Sequence, residues 1–116
     1  MAHIYVVAAE NGTYKIGFAN RPRERLTGLR SGSAYRLSLL RTQEVPTRFA
    51  RLVERTVHDQ YRSDRVHGEW FSLPPGLTPK AFAADVCAAA RLYALAFAKG
   101  ARPLWQIPEL KRNLRR

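Results

Sequence analysis

The chain of 116 residues predicts one small α/β domain of the α+β kind, in which a three-stranded antiparallel sheet is flanked by helices. Three observations point to it. Two runs of β-branched and aromatic residues flank an Asn-Gly pair near the N-terminus, the strongest short-range hairpin signal. Residues 47–63 place apolar side chains at helical spacing. An Ala-rich stretch at 78–98 is long enough for a helix that covers a sheet. The predicted order is β-β-α-β-α followed by a long C-terminal helix, with no internal repeat and no low-complexity linker.

In chain order, HIYVVAA (3–9) and TYKIGF (13–18) are the two strands around the turn ENG (10–12). RPRERLTGLR (21–30) reads as a short helix, with Asn20 as N-cap, Pro22 in its first turn, and Leu26 and Leu29 facing the core. After the loop SGS (31–33), YRLSLLRTQ (35–43) alternates imperfectly and is the third strand. TRFARLVERTVHDQYRS (47–63) is the second helix, capped by Thr47 and buried through Phe49, Leu52, Val53, Val57 and Tyr61. HGEWFSL (67–73) is an extended piece that ends at PPG (74–76). The last helix carries a stripe of Phe82, Val86, Ala89, Tyr93 and Phe97 and terminates at Gly100. This helix is expected either to complete the core or to present the face of a homodimer. KRNLRR (111–116) is a basic tail expected to be mobile.

Charge narrows the function. The net charge is +11, and 16 of the 20 basic residues are Arg. Such an excess points to a polyanionic partner, because basic side chains gain affinity by displacing counterions from phosphates. Arg adds the ability to hold a phosphate through two parallel hydrogen bonds. Cys87 stands alone, which excludes a disulfide framework or a Cys-based zinc site within the chain and fits a cytoplasmic setting. The N-terminal MAHIYVV lacks the basic start and long apolar core of a signal peptide. Asp85 and Arg91 interrupt the apolar stretch at 81–98. Each would cost roughly 2.5–3.5 kcal/mol at a bilayer centre, so no membrane span is expected.

Five short segments in order then become informative together: IYVV (4–7), YKIG (14–17), an arginine eight residues past Gly17, VERTVH (53–58) and GEWF (68–71). Their order and spacing resemble the GIY-YIG nuclease superfamily, and within it a branch common in phage and mobile-element proteins, marked by a Glu-x-x-x-His helix and a GEWF-like segment. The resemblance spans residues 3–73, so residues 1–73 form the expected nuclease core and 74–116 a C-terminal helix and tail packed on the same domain.

The resemblance implies roles for individual residues. Ile4 and Tyr5 match the first motif, with His3 where the family has Gly; Ile16 and Gly17 close the second motif, with Lys15 at its first position. Arg25 stands where the family has its catalytic Arg, and Glu54 where it has its metal-binding Glu. His58, counted with Tyr5, Lys15 and Arg25 among the expected catalytic groups, and the pair Glu69 and Trp70 match the branch's own pattern. The implied activity is a metal-dependent endonuclease acting on nucleic acid, with double-stranded or branched DNA as the expected substrate and Mg²⁺ (or Mn²⁺) as the cofactor.

Elementary chemistry agrees with those roles. Hydrolysis of a phosphodiester needs an activated water, a cation against the developing charge, and a proton for the leaving oxygen. One Glu can anchor Mg²⁺, which keeps most of its waters. Arg25 can clamp the phosphate, Tyr5 can position or relay the water, and Gly17 leaves room for close approach of a phosphate. Arg21 and Arg23 are expected to touch the nucleic-acid backbone. Trp70 and Phe71 are expected to plug the core; Glu69, next to Trp70, is expected to point the other way and support the site. Lys15 replaces a Tyr proposed as general base in the superfamily; protonated near neutrality, it is expected to clamp the phosphate with Arg25, which leaves deprotonation to Tyr5 or to a metal-bound hydroxide. A non-catalytic DNA-binding module of the same fold is therefore the alternative, and a small adaptor that docks through its Ala-rich helix is a third.

Overall fold

The computed structural model describes residues 1–106, so the basic tail at 111–116 lies outside the described residues. Among them are five antiparallel strands, β1 (Ala2–Ala9), β2 (Tyr14–Ala19), β3 (Leu37–Val45), β4 (Arg65–His67) and β5 (Trp70–Phe71). They lie in the order β3-β1-β2-β5-β4. The helices are α1 (Pro22–Ser31), α2 (Ala50–Gln60) and α3 (Pro79–Ala98). The sheet thus has five strands where the sequence pattern predicts three. The extra two form a hairpin that the sequence presents as one extended piece. With three and two residues they are too short to show alternation, and Gly68 reverses the chain between them at a φ of 53°.

Strand β1, paired on both sides, is buried on both faces, which explains its nearly continuous apolar run. Ala2, Ile4 and Val6, with Tyr14 and Ile16 of β2, pack under α2 and α3 against Val53, Val57, Phe82 and Val86. Tyr5, Val7 and Ala9 face the other way, where Leu26 of α1 covers them together with Leu37. A bulge in β3 reconciles the two cores. Val6 pairs with Arg41 and Val7 with Leu39, so Leu40 is the unpaired extra residue. Past it the strand changes faces: Leu37 and Leu39 serve the α1 side, and Val45 serves the other. That switch is why the alternation over 35–43 reads imperfectly.

Two expected helix caps move. Arg21, not Asn20, occupies the N-cap position of α1 and makes no side-chain cap bond. Thr47 opens a short 3₁₀ turn, which places Phe49 at the N-cap of α2. In α3 the Thr78 hydroxyl oxygen accepts from the Ala81 N–H at 3.1 Å. By length and composition α3 is apolar enough to cross a membrane. Here it covers the sheet through Phe82, Ala83, Val86, Cys87, Ala90, Ala94 and Phe97. This face is rotated slightly from the expected stripe. Ala89 and Tyr93 are only half-buried, and the Tyr93 hydroxyl donates to Gln60 Oε1 at 2.5 Å. The helix therefore completes the core.

Removing the Phe82 ring, which is fully buried, leaves a cavity, so Phe82→Ala should cost about 3–5 kcal/mol in urea denaturation. Leu92→Ala on the exposed side of α3 should change stability by less than about 0.5 kcal/mol.

Candidate active site

The site forms where strand β2 runs out of partners. Strand β5 pairs with β2 only at Tyr14 and Lys15, which leaves the outward groups of Ile16 and Phe18 to be satisfied by other means. The Ile16 N–H donates to the Glu69 carbonyl at 3.0 Å. The Ile16 carbonyl accepts from His58 Nε2 at 2.7 Å. The Phe18 N–H lies close enough to the Glu54 carboxyl to favour its charged form. Residues four apart on a helix rise about 6 Å, and residues two apart on a strand about 6.6 Å. Helix α2 therefore meets the open strand edge in register, with Glu54 opposite Phe18 and His58 opposite Ile16.

A carbonyl oxygen only accepts, so His58 carries its hydrogen on Nε2. The ring is buried and packs against Phe71, with centroids 5.1 Å apart. Burial lowers its pKa, opposed by the Ile16 carbonyl and by Glu69, which keeps the imidazole neutral near pH 7. The residue expected among the catalytic groups thus has one ring nitrogen built into the edge of the sheet.

On the α1 face, Tyr5 and Gly17 are cross-strand partners. A Cβ at Gly17 would stand 2.5 Å from Tyr5 Oη and 2.6 Å from Cζ. The space above Gly17, expected to admit a phosphate, is filled by the Tyr5 ring. This is the reason for the glycine. Burial pushes the Tyr5 phenol above its ordinary range, with the Arg25 guanidinium beside it pulling back. Glu69 and Glu54 add to the upward push, so their charges reach the same hydroxyl.

Lys15 is buried and forms an ion pair with Glu69, its Nζ 5.7 Å from the centre of the Trp70 ring. Glu54 is half-buried on α2, and its carboxyl is pushed up to about 7. Burial is the main cause and Glu69 the next, while Lys15, the Phe18 N–H and Arg51 oppose it. Tyr5, Lys15, Arg25, Glu54 and Glu69, drawn from five separate segments, thus share one electrostatic neighbourhood. Arg21 and Arg23 stay at the exposed start of α1, where Arg21 pairs with Glu24 at 3.3 Å. Sequence reasoning missed two members. Trp70, half-buried against the α1-side core as expected, also lies under Lys15. Arg51 stands three residues before Glu54, one helical turn away, and that spacing was the signal that could have found it.

The tight Tyr5–Gly17 contact gives a direct test. Gly17→Ala should displace the Tyr5 ring and cost about 1–3 kcal/mol in thermal or urea unfolding, whereas Gly28→Ala on α1, with open space around it, should be neutral or slightly stabilising.

The T5orf172 domain matches residues 2–90, most of the chain. It is a phage-associated domain found in some nucleases of GIY-YIG or HNH-like type. The match contains every residue of the cluster and continues past residue 73 into α3, in keeping with the packing of that helix on the sheet. No curated protein and no solved structure matches the chain. With a family match running from the first strand to the middle of the last helix, the chain belongs to the T5orf172 domain family.

Proposed function

We propose that the protein is a metal-dependent endonuclease of GIY-YIG type that hydrolyses phosphodiester bonds in nucleic acid, with DNA as the substrate and the cytoplasm as its setting. The observation that carries this reading is the convergence of Tyr5, Arg25 and Glu54 beside the Lys15–Glu69 pair. These are the residue types the reaction needs, on a chain whose charge of +11 attracts nucleic acid.

Glu54, with Glu69 nearby, is the group that would hold Mg²⁺ or Mn²⁺. Among the described residues no cluster of three or more His, Cys, Asp or Glu side chains forms a closed cage. One or two carboxylates suit Mg²⁺, which keeps several waters. Burial and a like charge disfavour the lone Glu54 carboxylate, and a cation relieves both. When bound, a divalent ion supplies positive charge against the phosphate and makes a water more acidic.

The side chains do the rest. Arg25 clamps the scissile phosphate through its planar guanidinium. The Tyr5 phenol, pushed up by burial, keeps its proton near neutral pH. It therefore orients the attacking water by hydrogen bonding and does not deprotonate it. His58 positions Glu54 through the shared helix register, and Lys15 holds the Glu69 carboxylate in place. Arg21 and Arg23 contact the backbone of the bound strand outside the cluster.

One observation favours the non-catalytic binding module: Lys15 stands where a base would, and it is already committed to Glu69. Metal-dependent turnover separates the two readings. The assay uses supercoiled plasmid with Mg²⁺, Mn²⁺ or EDTA. Glu54→Ala should lower cleavage by roughly 10²-fold or more, while changing binding in EDTA by less than about threefold. Because Glu54 is charged only above about pH 7, cleavage at limiting Mg²⁺ should fall roughly tenfold per pH unit below that point. Tight, salt-sensitive binding without cleavage in any metal would leave the binding module as the function. Undiminished cleavage by Glu54→Ala would remove Glu54 from the site.

A further inference from the structure

Beside the candidate active site, on the α1 side of the sheet, lies a groove of about 310 Å³ that no step above uses. Three segments distant in sequence build it: the β1–β2 turn, the loop after α1, and the β4–β5 hairpin. Its walls are aromatic and apolar. Tyr35 and Val66 stand at the rim, 50% and 54% exposed. His67 and Trp70 also line it, and these two are register partners across the hairpin. Polar groups edge it at Asn11 and Ser33. The Asn11 side-chain oxygen is engaged by Thr13, which leaves its amide N–H groups free to donate.

Two features identify the occupant. The first is chemistry: a flat ring with a hydrogen-bonding edge fits a slot of aromatic side chains with polar groups at its margin, and base–aromatic stacking is the common way proteins hold unpaired bases. The second is continuity. Trp70 pairs with Lys15 across β2 and β5 and lies beneath its ammonium group. The row Lys15, Trp70, His67 therefore runs from the candidate active site into the groove.

We propose that this groove is a nucleobase subsite, which receives an unpaired base of the bound strand while a neighbouring phosphate sits at Arg25. The subsite deepens the nucleic-acid reading and rests on it. It makes the protein selective for strands that present a bulged, flipped or single-stranded base beside the bond to be cut, a specificity set by shape and not by sequence.

The test uses fluorescence anisotropy in EDTA with three labelled duplexes: fully paired, with one bulged base, and with an abasic residue at the same bulge. The abasic duplex keeps the bend and the phosphate and lacks only the base. The wild-type protein should bind the bulged base about tenfold more tightly than the abasic site, the equivalent of ~1.4 kcal/mol. Tyr35→Ala, at an exposed position with no core role, should remove that preference while leaving the affinity for paired duplex unchanged. Tyr35→Phe should retain it, because stacking needs the ring and not the hydroxyl. Equal affinity for bulged and abasic duplexes, or a preference that survives Tyr35→Ala, would overturn the subsite while leaving the nucleic-acid reading intact. Failure to bind any of the three would overturn both.

Discussion

The structure depends on how one unfinished strand edge is closed. Strand β2 pairs with β1 along its whole length but with β5 only at its first two residues. A bare edge inside a small domain would leave backbone groups without partners, at a cost of about 1–3 kcal/mol each when buried. Helix α2 closes it with side chains, through His58 on the Ile16 carbonyl and Glu54 beside the Phe18 amide. The neighbouring positions Val53 and Val57 face the core. One helix register therefore sets the hydrophobic packing and the position of the acidic group together. Rotating or sliding α2 would disturb both.

A second consequence is electrostatic. The chain is strongly basic, yet its candidate site concentrates two carboxylates with a buried lysine, a buried tyrosine and an arginine. In the proposed function, long-range attraction of a polyanion and local affinity for a cation are thereby separated in space. Exposed arginines supply the first, with the salt dependence that such contacts carry. Burial supplies the second, because a carboxyl held near neutrality by desolvation and by a like charge gains from any cation brought to it. The Lys15–Glu69 pair sits between these regimes, with Lys15 in the interior and Glu69 reaching solvent.

Much of the fold was legible in the chain, and the parts that were not have physical reasons. The N-terminal hairpin, the three helices and the long strand after α1 followed from turn chemistry and periodicity. The β4–β5 hairpin did not, since strands of two and three residues carry no pattern. The bulge at Leu40 appeared only as flawed alternation, because the residue that changes faces has no sequence signature. For the site, the order of motifs singled out Tyr5, Lys15, Arg25, Glu54 and Glu69. The sequence could not reveal that Lys15 and Glu69, 54 residues apart, form an ion pair, because that pairing depends on the unread hairpin. It suggested a phosphate-binding purpose for Gly17, when a steric one, making room for the Tyr5 ring, is what the packing requires.

The most direct measurement is the ionisation of Glu54 itself, followed by carbon-detected NMR of its side-chain carboxyl, with Glu54→Gln to assign the signal and with Mg²⁺ absent or present. A carboxyl buried at the β2 edge beside Glu69 should titrate at about 7 without the ion. Mg²⁺ should then move the midpoint to lower pH, because the cation favours the charged form. A midpoint at the ordinary 4.5, unmoved by Mg²⁺, would mean that Glu54 is a solvated surface carboxylate and that the cluster is not a metal-dependent site.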